Sequence, residues 1–213
     1  MKFDSKVTGT LLCVLLFSCT IQKKGIQVKS GDLLFQGADS TSLSDAIDKV
    51  TQTCDDTHFS HVGLVEVADD GRIFVLHANT YSGTCRVSLQ QFLDAEDASV
   101  QTVVYRLKEP WQKTIPAAIA AAKKMLDRPY NFSYILSDSS HYCSEFVFKA
   151  FESDSVFELN PMTFKDPETS DFYPTWTNYY AKMGIDVPEG EPGCNPNGMA
   201  VSPKLERIGV LAY

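Results

Sequence analysis

Three side chains of this sequence could act together on one bond. Tyr142-Cys143-Ser144-Glu145 opens the apolar run Phe146-Val147-Phe148-Lys149-Ala150-Phe151, which reads as a helix. In a first helical turn the unpaired backbone N–H groups and the positive end of the dipole favour a thiolate, the nucleophilic form of cysteine. Thiol chemistry also needs a base for the proton and a third polar group that holds the base in one tautomer. His61 and His77, far upstream, supply one of each, with His77 neutral and accepting from His61. The N–H of Cys143 and a neighbouring donor would then hold the oxyanion of an acyl-transfer intermediate. Each residue also has an ordinary structural reading: a buried small thiol, a strand-edge histidine and a core histidine.

Two β-rich runs must carry the histidines. Ser60-His61-Val62-Gly63-Leu64-Val65-Glu66-Val67 and Arg72-Ile73-Phe74-Val75-Leu76-His77-Ala78 are separated by Ala68-Asp69-Asp70-Gly71, and Asp-Gly between such runs signals a hairpin. Register then decides the chemistry. With an odd-membered loop, Asp69-Asp70-Gly71 with Gly71 left-handed, His61 and His77 project from one face, opposite or one step diagonal, within hydrogen-bond reach. An even-membered loop would put them on opposite faces.

Tyr142 and Ser60, the chain neighbours of Cys143 and His61, are expected at the substrate. Glu145 suits the helix dipole and is also a candidate to bind a substrate amine. His141 is the rival base, but two residues before Cys143 it points in a different direction; it and His58 read as loop residues, and Asp32 and Asp138 as solvated carboxylates. Cys-x-x-Cys and His-x-x-x-His spacings are absent from the sequence, so neither a structural metal nor a cofactor is expected.

Around this constellation the chain reads as a strand at 31–36, an amphipathic helix to about 53, a short helix at 88–96 and a strand at 100–107. A helix follows between 111 and 127 with Pro116 in its first turn, then a polar and aromatic loop at 131–141, a brief helix at 176–183 and a closing strand at 207–211. The stretch 157–203 is long for a loop, and such excursions often cover a substrate cleft.

A chain of 213 residues, 44% hydrophobic, suits one domain with a real core, and a net charge of −8 excludes a basic stripe for nucleic acid. Lys2, Lys6 and the apolar stretch from Val7 to Phe17 have the layout of a signal peptide, too short to span a bilayer. Leu16-Phe17-Ser18-Cys19 resembles a bacterial lipobox, which implies cleavage before Cys19 and a diacylglycerol on its sulfur. The expected organisation is a signal peptide at 1–18, a tether at 19–30 and one domain at 31–213, held in the bacterial cell envelope facing the periplasm; an ordinary secretory signal is the alternative. Export makes a disulfide admissible, and with Cys143 free, Cys54 and Cys85 are the pair to consider.

Gly31-Asp32-Leu33-Leu34-Phe35, Phe59-Ser60-His61-Val62-Gly63-Leu64-Val65, Val75-Leu76-His77-Ala78 and Tyr142-Cys143-Ser144-Glu145-Phe146-Val147 together resemble the YiiX-like branch of the NlpC-type, papain-like cysteine hydrolases. The resemblance spans about residues 31–151 and implies a circularly permuted core in which the histidine and its partner precede the cysteine. It implies Cys143 as nucleophile, His61 as base and His77 as the orienting residue, where the family often has a carboxylate. The expected fold is α+β, an antiparallel sheet of five or six strands with the Cys143 helix packed on one face. The expected activity is amide hydrolysis through an acyl-thioenzyme, on a cell-wall peptide (a peptidoglycan fragment) or a related periplasmic amide. Two alternatives stand beside it: a lipid acyltransferase or thioesterase, which needs a long apolar groove in place of a carboxylate-bearing polar cleft, and a binding protein with a vestigial site.

Overall fold

The computed structural model describes residues 25–37, 42–53, 57–97 and 99–211. The signal peptide, Cys19, the first part of the tether and Cys54 lie outside the described residues. In chain order the elements are β1 (Leu33–Gly37), α1 (Ser42–Thr51), β2 (Phe59–Val67), β3 (Ile73–Asn79), β4 (Gly83–Ser88), α2 (Leu89–Asp94) and β5 (Thr102–Leu107). There follow α3 (Glu109–Gln112), α4 (Ile115–Lys124), α5 (Cys143–Ala150), β6 (Asn160–Pro161), α6 (Pro174–Met183), β7 (Pro192–Gly193), α7 (Pro196–Ala200) and β8 (Leu205–Val210). Among the described helices none is long and apolar enough to cross a membrane.

Six of the strands form one antiparallel sheet in the order β4-β3-β2-β1-β5-β8. Alternation along each strand sends side chains to two separate cores. Leu33, Phe35, Val62, Leu64 and Leu76 pack against Ala118 of α4 and Phe146, Val147 and Phe151 of α5. Leu34, Val65, Val75 and Val104 pack on the other face against Phe92 and Leu93 of α2. Ser88 caps α2 in a reciprocal box with Gln91, so the short helix starts where its two apolar residues meet the sheet.

The β2–β3 hairpin closes with the three-residue loop. Ala68 and Arg72 bond across it, Gly71 N–H donates back to Ala68, and Gly71 has φ +83°, a conformation glycine adopts at no steric cost. Leu64 faces Leu76 and Val65 faces Val75, so facing numbers sum to an even number, as the odd-membered loop required.

Three features differ from the sequence expectation. The helix expected between 111 and 127 is two helices, because Thr114 turns its hydroxyl onto the carbonyl of Trp111 at 2.7 Å and α4 restarts with Pro116 in its first turn. β4 had no counterpart in the sequence reading; it pairs with β3 along six residues. Asp32 is buried, not solvated, and its carboxylate accepts from the Arg106 guanidinium at 2.7 and 2.8 Å and from the N–H of Lys29 at 2.7 Å, which ties the start of β1 to β5.

Candidate active site

Cys143 is the first residue of α5, and Glu145 fastens that helix start to the loop before it. The Glu145 carboxylate is 0% exposed and accepts from the N–H of Ser137 at 2.7 Å, the N–H of Tyr142 at 3.2 Å and the Asn131 amide at 3.1 Å. Its lone pairs are therefore committed within the protein, and it does not line the cavity beside Cys143. This corrects the expectation that Glu145 receives a substrate amine. His141 is equally internal: its Nε2 lies 3.1 Å from the Arg128 guanidinium, its Nδ1 is 3.6 Å from Glu145, and it is absent from the cavity wall. His58 bonds Asp48 at 2.8 Å.

The thiol of Cys143 donates to the carbonyl of Ser60 at 3.8 Å. Ser60 and Val62 point their backbone groups toward β3, but the β2–β3 ladder ends at the Leu64–Leu76 pair, so the sulfur occupies an opening between the two strands. His61 and His77 stand on the opposite face of that opening, under the ring of Phe92, whose centroid is 5.7 Å from His61 and 5.1 Å from His77. His61 Nε2 and His77 Nδ1 are 2.8 Å apart, the one-step diagonal relation that the hairpin register demands. His61 Nδ1 has no hydrogen-bond partner among the described residues, and the Cys143 thiol is bonded to Ser60, not to the imidazole.

Burial sets the resting charges. It pushes the Cys143 thiol up to about 11, although the N–H groups of Ser144, Val62 and Cys143 itself draw it partway back. The helix start therefore does not make a resting thiolate, which overturns that expectation. Burial lowers His61 to about 4, and burial with the charge of His61 lowers His77 to about 3. Thiol and imidazoles all rest neutral.

The tautomers follow from Asn79, at the end of β3. Its Oδ1 accepts from the N–H groups of Tyr81 at 3.0 Å and Ser82 at 2.7 Å, which turns its NH2 toward His77 Nε2 at 3.5 Å and Cys85 Sγ at 3.4 Å. With Asn79 donating, His77 carries its proton on Nδ1 and gives it to His61, the reverse of the polarity expected from the sequence. The Asn79 contact is long, so little energy holds this polarity.

A cavity of about 400 Å³ opens from Cys143 on the α5 face. Ser60 and Tyr142 line it, where the sequence reading placed them; His61 and His77 do not. Three further residues of its wall escaped that reading: Tyr130, Tyr134 and Cys194. Burial keeps both phenols protonated, and the two bond each other on the cavity wall. Tyr134 has φ +57°, a strained backbone for a bulky side chain, held by ring contacts to Tyr142 and Trp176. Only positive φ in a loop flanking a helix start signals it, and a sequence does not display that.

The family model described as "Permuted papain-like amidase enzyme, YaeF/YiiX, C92 family" matches residues 27–209. The chain belongs to the C92 family. The protein YiiX of Escherichia coli K12, itself described as uncharacterized, is 26% identical over 203 residues, covering 92% of this chain and 94% of its own. A crystal structure titled metalloprotein YiiX from Escherichia coli O157:H7 superposes with a TM-score of 0.68 at 23% identity, over 86% of this chain and 97% of that one, and shows the shared fold.

The C92 core is thus α+β and permuted, with the histidine-bearing strands before the cysteine helix, and the chain is a papain-like cysteine hydrolase. Among the described residues no group of three or more His, Cys, Asp or Glu side chains is disposed to hold a metal, so the metal in the relative's title has no evident ligand set here. Among the described residues Cys85, Cys143 and Cys194 are free thiols, and Cys54, the other half of the bridge considered from the sequence, lies outside them.

Proposed function

We propose that this C92 protein hydrolyses an amide through an acyl-thioenzyme on Cys143, with His61 as base and His77 as its orienting partner. The observation that carries it is the 2.8 Å bond between His61 Nε2 and His77 Nδ1, which leaves His61 Nδ1 without a partner among the described residues, on the residue next in chain to the Ser60 carbonyl that the Cys143 thiol bonds. When substrate enters, the His61 proton shifts from Nδ1 to Nε2 and that of His77 from Nδ1 to Nε2, so that His61 donates to His77. The freed Nδ1 of His61 then takes the thiol proton as the sulfur adds to the carbonyl. The N–H of Cys143 and the phenol of Tyr130 are the donors available to the oxyanion. The amine leaves with the proton from His61, and water then cleaves the thioester.

The reading further places the mature protein in the cell envelope, held by a diacylglycerol on Cys19. Radiolabelled palmitate should enter the wild-type protein in bacterial cells and not Cys19→Ser; equal labelling of both would refute the anchor.

Alkylation by iodoacetamide tests the catalytic pair. Burial alone would leave Cys143 nearly inert at neutral pH, so fast labelling requires the imidazole. Labelling near pH 7 should slow by about tenfold or more in His61→Ala. Equal, slow labelling of both proteins would sink the pair and return the site to the vestigial alternative. Amide cleavage that persists in Cys143→Ala would refute the nucleophile.

A further inference from the structure

β1 sends a glutamine into an apolar layer. Gln36 is 2% exposed and shares the α2 face with Leu34, where Val65, Val75, Val104 and the two buried residues of α2 make up the core. An amide in such a layer loses its water and needs a partner inside the protein. Across the strands Gln36 stands between Thr102 of β5 and His61 of β2, in register with both. Its NH2 bonds neither. The Thr102 hydroxyl is buried with no hydrogen-bond partner among the described residues, while Gln36 Nε2 donates to the carbonyl of Phe92 at 3.2 Å.

That carbonyl belongs to the last turn of α2, where backbone oxygens have no partner inside the helix. The Ser88–Gln91 box fixes the start of α2, and Gln36 fixes its end. Between these two fastenings lies the Phe92 ring that covers both imidazoles. For packing alone a leucine or a methionine would fill the layer without desolvating an amide, so what the glutamine contributes is the bond it makes.

We propose that Gln36 is a positioning residue for the base: its amide seats Phe92 over His61 and His77 and keeps water from the bond between them. This rests on the reading of His61 as base. Burial is the leading cause that holds both imidazoles neutral, and Phe92 is the part of that burial which Gln36 controls. The titratable and charged groups around the pair are otherwise placed. Cys85 of β4 lies beyond Asn79, and Cys143 of α5 is bonded to Ser60 across the opening. Arg86 of β4 is turned to Glu66 at 2.6 Å, and Asp94 of α2 is exposed and accepts from Gln90 at 2.7 Å. β1 carries no charged side chain.

The test uses full-length protein and two readouts. Imidazole NMR follows the protonation of His61 and His77 and needs no turnover; the rate of Cys143 alkylation by iodoacetamide against pH follows the base at work. Gln36→Met keeps the volume and removes the donor, with Gln36→Leu as a second variant should the first not fold by circular dichroism. Both imidazoles should protonate about one pH unit higher than in wild type, and the acid limb of alkylation should move up by the same interval, because the base is then lost at a higher pH. Thr102→Val alters the other neighbour of Gln36 and should move neither readout. Phe92→Ala should raise both midpoints by itself, and adding Gln36→Met to it should raise them no further, since the glutamine acts through the ring. Unmoved imidazoles in a folded Gln36 variant, with only the urea midpoint lowered, would reduce Gln36 to a strut and overturn the proposal. An equal shift in Thr102→Val, or additive shifts in the double variant, would overturn it too. Raised imidazole midpoints with an unmoved alkylation limb would uphold the positioning and refute His61 as the base.

Discussion

On the α5 face of the sheet burial raises the Cys143 thiol to about 11, whereas on the α2 face burial beneath Phe92 lowers His61 to about 4 and His77 to about 3. One physical cause acts in opposite directions because the thiol is charged when deprotonated and the imidazole when protonated. The two faces also differ in what they enclose. The α5 face holds space, a cavity of about 400 Å³, while the α2 face holds packed rings. A resting ion pair is thus withheld on both sides of the opening, and its formation is left to the moment when a carbonyl and its oxyanion donors are in place.

Removing one face's contribution at a time is the severest test of that division. His61→Ala and Cys143→Ala should each lower kcat by at least about 10³-fold, and the double variant should be no worse than the worse single one, because the two groups act as a unit. Additive losses in steady-state amide hydrolysis would mean that the faces work independently.

Opening the α2 face comes next. Phe92→Ala removes the shared cover of both imidazoles and should cost about 3–5 kcal/mol in urea unfolding. The pH dependence of stability should change with it. Both histidines titrate lower in the folded protein than their ordinary 6.5, so as pH falls the unfolded chain takes up protons first. Stability is full above about 6.5 and declines toward about 4, and Phe92→Ala should flatten that decline by returning the imidazoles to water. A urea midpoint independent of pH in the wild type would contradict neutral burial.

The smallest expected effect separates tautomer from charge. Asn79→Asp keeps the acceptor for Tyr81 and Ser82 but takes a proton from His77 Nε2, so His77 Nδ1 becomes an acceptor for His61. The acid limb of the kcat/KM profile should move up by about one pH unit with little change in the plateau. An unmoved limb would show that Asn79 does not reach the base.

Much of the α2 face was legible in the chain itself. Asp69-Asp70-Gly71 offered an odd loop beside an even one, and with the odd loop formed the register follows and brings His61 to His77. Such short-range chemistry is written in adjacent residues. The α5 face was less so, because its properties arise from distant segments converging. The dipole argument at Cys143 was local and lost to burial, which depends on Tyr130, Tyr142 and the chain around 194 closing over the sulfur. Glu145 likewise looked available until the loop at 131–141 folded onto it. β4 was missed because Gly83-Thr84-Cys85-Arg86-Val87-Ser88 is short and largely polar, and it is a strand only by virtue of β3 beside it.

The cavity's outer wall is a long excursion of chain that begins after α5 and returns to the sheet as β8, paired with β5 at the edge. Between those two anchors it is pinned by Trp176 to Ala46, by Tyr180 to Ser133 and by Asn197 to Phe59. His61, His77 and Cys143 all precede this excursion in the chain, and the last residues of the cavity wall, Pro203 and Lys204, run directly into β8, which pairs with β5. The β5–β8 pair therefore holds the far end of that wall, so loosening this sheet edge would loosen one side of the cavity without touching Cys143, His61 or His77.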